Sequence, residues 1–215
     1  MTLLPCSAVL FDNDGVLVDS DASVVRAWSA WATAHGLDPD VVLPMVHGRK
    51  SRETVALLID VGQQDAALRD VDDRELADAA QVTALPGAVA LTTSIPGGHW
   101  AIVTSATRPL GSARLAAAGI PMPSVLVTAD DVVVGKPDPA GYLAAAAAIG
   151  VSPDDVAVLE DSGAGIRAAR AAGARWVIGV GERALETDAD VVVRNLRDLA
   201  WTPDGLQVLD ALRSG

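Results

Sequence analysis

The sequence predicts an α/β protein: a doubly wound, largely parallel sheet with a small α-helical module inserted after the first strand. Three observations lead there. From about residue 87 onward short apolar runs alternate with helical patterns, which implies right-handed crossovers and a sheet covered on both faces. Between the first strand and that point, helical spacing recurs with no strand. Polar clusters stand where apolar runs end, the place where ligands bind in open α/β sheets. The boundaries drawn from this are a core of residues 1–18 and 87–215 and a helical cap of residues 19–86.

Taken in order, Ser7 to Phe11 reads as a buried strand, and Asp12 falls at its carboxyl end. Val24, Ala27, Trp28 and Trp31 fall at helical spacing, and Gly36 ends that helix. Ser51 is placed to cap a helix carrying Val55, Leu58 and Ile59, and Asp72 with Glu75 forms a capping box for another. Leu85-Pro86-Gly87 punctuates the end of the block. Trp100 to Thr104 is the next strand, followed by a helix near 108–118 that Gly119 closes, and then a strand at Val125 to Thr128. Asp138 caps and Pro139 opens a helix to Ile149, with Gly150 past its end. Val156 to Leu159 is a strand, 164–172 a helix closed by Gly173, and Arg175 to Val180 and Asp190 to Val193 are strands. Leu206 to Leu212 reads as a last helix.

At 215 residues and 50% hydrophobic, the chain holds one good core and a smaller satellite. A net charge of -12 argues against nucleic acid or an anionic membrane surface as partner, so a phosphate ligand needs local cations. One cysteine, Cys6, leaves no internal disulfide and points to a reducing compartment. No run reaches the roughly 18 apolar residues of a membrane span, and no basic segment followed by an apolar stretch opens the chain. The expectation is a cytoplasmic, unprocessed monomer. Lys50 and Lys136 are the only lysines among sixteen basic residues, a hint that a compact ammonium is wanted at each.

Chemistry gathers at three strand ends. Asp12 and Asp14 follow the first strand, Thr104 and Ser105 the second, and Glu160 and Asp161 the run from Val156 to Leu159. Parallel strands bring all three to one edge, and Lys136 lies in a connection that reaches it. Asp-x-Asp-Gly by itself also fits a solvated acidic turn. An EF-hand loop does not fit, because its glycine belongs at the sixth position and here stands at the fourth. Two acids from each of two strands repel unless a divalent cation lies between them. Oxygen donors without histidine or cysteine favour a hard ion, magnesium first. One carboxylate can then attack phosphorus, a second can protonate a leaving alcohol, and a hydroxyl and an ammonium can hold the phosphoryl oxygens.

Asp12-Asn13-Asp14-Gly15-Val16-Leu17-Val18-Asp19-Ser20, Ile102-Val103-Thr104-Ser105, Gly135-Lys136-Pro137-Asp138 and Leu159-Glu160-Asp161-Ser162-Gly163-Ala164-Gly165 together resemble the four motifs of the haloacid dehalogenase superfamily, whose core is Rossmann-like. The likeness is to its capped phosphatases, and most to those acting on sugar and polyol phosphates. That resemblance implies Asp12 as nucleophile and Asp14 as general acid/base. Ser105 and Lys136 become phosphate holders, with the backbone at Ala106 beside them and Thr104 competing for the hydroxyl role. Asp12, Asp161 and the backbone carbonyl of Asp14 become magnesium ligands, with Glu160 supporting or alternative. The partner implied is a small phosphorylated metabolite.

Hexose-phosphate mutases share the four motifs but place a histidine twelve residues beyond the nucleophile, where this chain has Val24. A non-enzymatic receiver-type module uses similar groups yet has no use for the roughly 65 residues between Ser20 and Leu85. Gly163-Ala164-Gly165 also imitates a dinucleotide fingerprint, but Glu160-Asp161 directly before it would repel a pyrophosphate. In the cap, His47, Arg49, Lys50 and Arg52 form the one dense basic cluster. They read either as a solvated turn or as residues facing the core site to bind the polar end of a substrate.

Overall fold

A computed structural model describes residues 1–46 and 48–214. His47, one of the four basic cap residues, lies outside them. The chain runs β1 (Thr2–Leu4), β2 (Ala8–Phe11), β3 (Val18–Asp19), α1 (Asp21–Ala34), α2 (Pro39–Val42), α3 (Ser51–Leu58), α4 (Gln64–Asp78), β4 (Thr83–Ala84), α5 (Ala88–Ser94) and β5 (Trp100–Val103). It continues with α6 (Arg108–Ala117), β6 (Leu126–Val127), α7 (Ala140–Ile149), β7 (Val156–Glu160), α8 (Gly163–Ala171), β8 (Trp176–Val180), β9 (Val191–Val193), β10 (Leu199–Thr202), β11 (Gly205–Val208) and β12 (Arg213–Ser214).

The main sheet has the order β12-β9-β8-β7-β2-β5-β6 and is parallel except at β12. β2 is central, between β5 and β7, so its side chains are buried on both faces and read as a continuous apolar run. Two apolar clusters cover the sheet, one holding Val9, Phe11 and Leu159, the other Leu10, Val158 and Ile166. Removing Val9, Phe11, Leu10 or Ile166 from water contributes about 1.5–3 kcal/mol each.

The helices between β3 and β4 have an apolar cluster of their own, built on Trp28, Trp31, Val42, Val55, Ala67 and Val71. Trp31 is fully buried and its indole N–H donates to the Ala67 carbonyl at 2.8 Å, which ties α1 to α4. β3 and β4 pair antiparallel, Val18 opposite Ala84, so the chain leaves and re-enters the core through one two-stranded neck.

Several element boundaries differ from the sequence expectation. Leu206 to Leu212 is not a helix: Gly205–Val208 is β11, paired antiparallel with β1 and β10 in a separate three-stranded sheet. Leu206 and Val208 are buried with Gln207 between them, a period of two, and Pro203-Asp204 makes the hairpin turn. Asp72 and Glu75 do not cap a helix. They lie inside α4, which starts at Gln64 because its buried face already includes Ala67 and Val71. Ser51 is the first helical residue of α3 and Lys50 holds the N-cap position. Pro139 occupies the N-cap of α7, while Asp138 Oδ1 still accepts from the Ala140 N–H at 2.9 Å.

Where α4 approaches the core loop, the Asp72 carboxyl is pushed up to about 6, first by burial and then by Glu75, Asp130 and Asp73. A carboxyl raised in the folded state binds its proton more tightly there than in the unfolded chain. The fold therefore loses stability as pH rises from about 4 to about 6 and stays lower above that. Asp72→Asn is expected to gain about 1 kcal/mol at pH 8, after allowing for solvent screening of this half-buried group. Urea unfolding checks this: the gain must shrink towards pH 4, and a pH-independent gain contradicts it.

Candidate active site

The carboxyl end of β2 is bound into the sheet by the Asp12 N–H, which donates to the Leu159 carbonyl at 2.9 Å. The chain must then turn at once, and Gly15 does so at φ +81°. The angle favours glycine, and a Cβ at Gly15 would stand 2.1 Å from Asp161 Oδ2 and so displace that carboxylate. Two loops from adjacent strands are thereby pressed together with their acids inward.

Asp12, Glu160 and Asp161 are buried and can each offer a carboxylate oxygen within 4.8 Å of the others. Lys136 is the buried ammonium among them, 2.8 Å from Asp12 Oδ1 and 2.5 Å from Glu160 Oε1. Burial, and then Glu160, pushes the Asp12 carboxyl well above its usual range, with Lys136 pulling the other way. Asp161 is pushed up to about 7 by burial and Glu160, with the partner Arg183 opposing at 2.9 Å. Burial works to lower Lys136, but Asp12 and Glu160 outweigh it and hold the ammonium above its ordinary value. Three crowded carboxylates with one buried ammonium are short of positive charge, and their hard oxygen donors fit a divalent cation.

Glu160 differs from its two neighbours. Oε1 accepts from Lys136 and from the Tyr142 hydroxyl at 2.6 Å, and Oε2 from the Asp161 N–H and the Ser162 N–H and hydroxyl at 3.1–3.3 Å. Both oxygens are engaged, which leaves Asp12 and Asp161 as the carboxylates with capacity to spare.

Asp14 lines the same cavity as Asp12 but is anchored by other groups. Its Oδ1 accepts from Arg114 Nη1 at 3.0 Å, and its Oδ2 from Asn13 Nδ2 at 3.3 Å and the Thr104 hydroxyl at 3.4 Å. Thr104 also accepts from the Ala106 N–H at 3.0 Å and so shapes the turn after β5, while Ser105 points to the cap and donates to the Gly48 carbonyl at 3.1 Å. One cavity is lined by Asp12, Asp14, Ser105, Ala106 and Asp161 from the core and by Trp28, Arg49 and Glu75 from the cap.

Residues 6–173 match the family model described as haloacid dehalogenase-like hydrolase. The chain belongs to that family. It is 39% identical over 211 residues to hexitol phosphatase A of Escherichia coli (strain K12), covering 93% of this chain and 97% of that protein. Validoxylamine A 7'-phosphate phosphatase of Streptomyces hygroscopicus subsp. limoneus is 33% identical over 89% of this chain and 95% of its own. A hydrolase from Pseudomonas syringae superposes with a TM-score of 0.77 at 26% identity, over 89% of this chain and 95% of that one.

Of the hydrolase's basic cap residues, Arg49 lines the cavity. Lys50 does not: it is buried, and its ammonium donates to the carbonyls of Ala129, Val132 and Val133. It fastens the cap to the core loop before Lys136. Arg52 is exposed and lines a separate crevice with Asp72 and Asp130. No helix among the described residues is long and apolar enough to cross a membrane.

Sequence reasoning missed Arg114, Glu75, Tyr142 and Arg183. Arg114 is 2% exposed and bridges Asp14 to Glu75, the latter at 3.0 Å. An arginine among Leu110, Gly111 and Leu115 on the buried face of α6 was the available sign. Glu75 in phase with Ala67 and Val71 on α4 was another. Arg183, half-exposed, connects Asp161 to Asp21 of the cap.

Proposed function

We propose that this hydrolase is a magnesium-dependent phosphatase of small sugar or polyol phosphates, working through a phosphoaspartate on Asp12, with residues 19–86 as its cap domain. The observation that carries the reading is the buried Asp12 carboxylate beside Lys136 and Asp161, with Asp14 separately anchored in the same cavity.

In this scheme Asp12 and Asp161, with the Asp14 carbonyl, would hold the cation, and Lys136 and Ser105 hold the phosphoryl oxygens. The cation supplies neutralisation of the crowded carboxylates and of phosphoryl charge. A carboxylate oxygen of Asp12 attacks phosphorus as the bond to the alcohol oxygen breaks, and Asp14 gives that oxygen a proton. Asp14 then takes a proton from water as the water oxygen attacks the phosphorus of the aspartyl phosphate, which releases phosphate and restores both carboxyl groups.

The similarity to hexitol phosphatase A favours this substrate class, and Val24 in place of the mutases' histidine favours release over transfer.

A phosphate-release screen over hexitol, pentitol, hexose and deoxy-sugar phosphates tests the reading. With added magnesium, release from hydroxylated esters is expected, and chelation is expected to stop it. Full activity in chelator, or isomerisation of hexose phosphate without release, contradicts it.

A further inference from the structure

Two ion pairs join cap to core among the described residues, and they differ in kind. Arg183–Asp21 is exposed on both sides, so it is worth little. Arg114–Glu75 is closed off, its two side chains 3% and 5% exposed. Burying two charged groups, Glu75 and Arg114, beside the partly exposed Asp14 is costly compared with apolar packing, so stability does not account for the arrangement.

The geometry of the guanidinium supplies another account. Nη1 donates to Asp14 Oδ1 and Nη2 to Glu75 Oε1, both at 3.0 Å. The group is planar and rigid, so fixing its Nη2 end on the cap fixes the direction in which Nη1 holds Asp14. Glu75 is itself steadied from α3, where the Ser51 hydroxyl donates to Oε2 at 3.3 Å. The other contacts to the Asp14 carboxylate, from Asn13 and Thr104, are longer at 3.3 and 3.4 Å. With the cap swung away, Glu75 would leave with α4 and Arg114 would keep only its Asp14 end.

We propose that Arg114 and Glu75 are positioning residues that make the aim of Asp14 depend on cap closure, so that the acid/base is set only when the cap covers the core. The inference rests on the phosphatase reading above. It explains why a cap residue that lines the cavity is bound to a core arginine rather than left free for the substrate.

The test compares three esters: a polyol phosphate, a plain alkyl phosphate without hydroxyl groups, and an aryl phosphate whose leaving group needs no proton. kcat/KM reports the steps through transfer to Asp12, where Asp14 acts as acid. Glu75→Gln keeps the shape of the side chain and removes its charge. It is expected to lower kcat/KM about tenfold for both alkyl esters and by less than about threefold for the aryl ester, and Arg114→Met to widen the gap to on the order of 10²-fold. Arg114→Lys, a point charge without the fork, is expected not to close it. Should Arg114→Met fail to fold, Glu75→Gln carries the test.

Equal losses on all three esters would reduce the pair to a structural tie and overturn the proposal, as would no loss on any. Loss confined to the polyol ester overturns it too, since Glu75 would then be a substrate contact. Wild-type enzyme inactive on every ester sinks the phosphatase reading itself, which separates the two failures.

Discussion

Replacing Asp12 by Asn is expected to lower phosphate release by on the order of 10⁴-fold or more while the protein stays folded. The loss follows from the role: an amide oxygen is a poor nucleophile, and no other carboxylate among the described residues is both uncommitted and next to Lys136. The stability follows from the surroundings. Asp12 is 5% exposed, and burial and Glu160 oppose its ionised form. Its raised carboxyl makes the fold less stable as pH climbs through the acid range, so the neutral amide is expected to leave the Tm at pH 8 unchanged or higher. Lys136 keeps Glu160 at 2.5 Å as a partner. Calorimetry at pH 8 with a phosphate-release assay checks both halves, and a large fall in Tm would mean that Asp12 holds the fold rather than the chemistry.

The second large effect concerns Lys136 and Glu160. Lys136→Met leaves Asp12, Glu160 and Asp161 buried without their ammonium, and removing one partner of a buried pair costs roughly 3–5 kcal/mol, a fall in Tm on the order of 10 °C. Phosphate release is expected to drop by about 10²-fold or more, because a charged holder of the phosphoryl oxygens is gone. Adding Glu160→Gln to Lys136→Met removes the stranded charge. The double variant is expected to recover most of the lost stability and none of the activity. Recovery of both would show that Lys136 acts only as a structural counter-charge.

How far the sequence exposed this arrangement depended on whether a feature is local. The strands ending in Asp12, Ser105 and Glu160-Asp161 were legible because each motif is a short apolar run closed by polar residues, and parallel order alone brings them to one edge. The helical insertion showed through the spacing of Trp28 and Trp31. What stayed hidden depends on long-range docking. Glu75 and Arg114 stand on different helices 39 positions apart, and nothing in either helix states that they meet. Lys50 looked like a site cation, yet its destination depends on where three carbonyls of the 129–133 loop fall. The β1-β11-β10 sheet escaped because its strands have three or four residues each, too few for a period of two to outweigh helix-forming neighbours. Glu160 read as a supporting or alternative metal ligand through the family resemblance, and the engagement of its two oxygens by Lys136, Tyr142 and Ser162 is a fact of packing that no motif states.

The central claim is that phosphoryl transfer passes through Asp12. Asp14→Asn with an aryl phosphate isolates that step, because the leaving group needs no acid while hydrolysis of the intermediate lacks its base. Acid-quenched protein, digested and mapped by mass spectrometry, is expected to carry a phosphoryl group on the peptide holding Asp12, and none once Asp12→Asn is added. Wild-type turnover with no phosphoryl group on that peptide in either background, or with the group on another residue, would contradict the account.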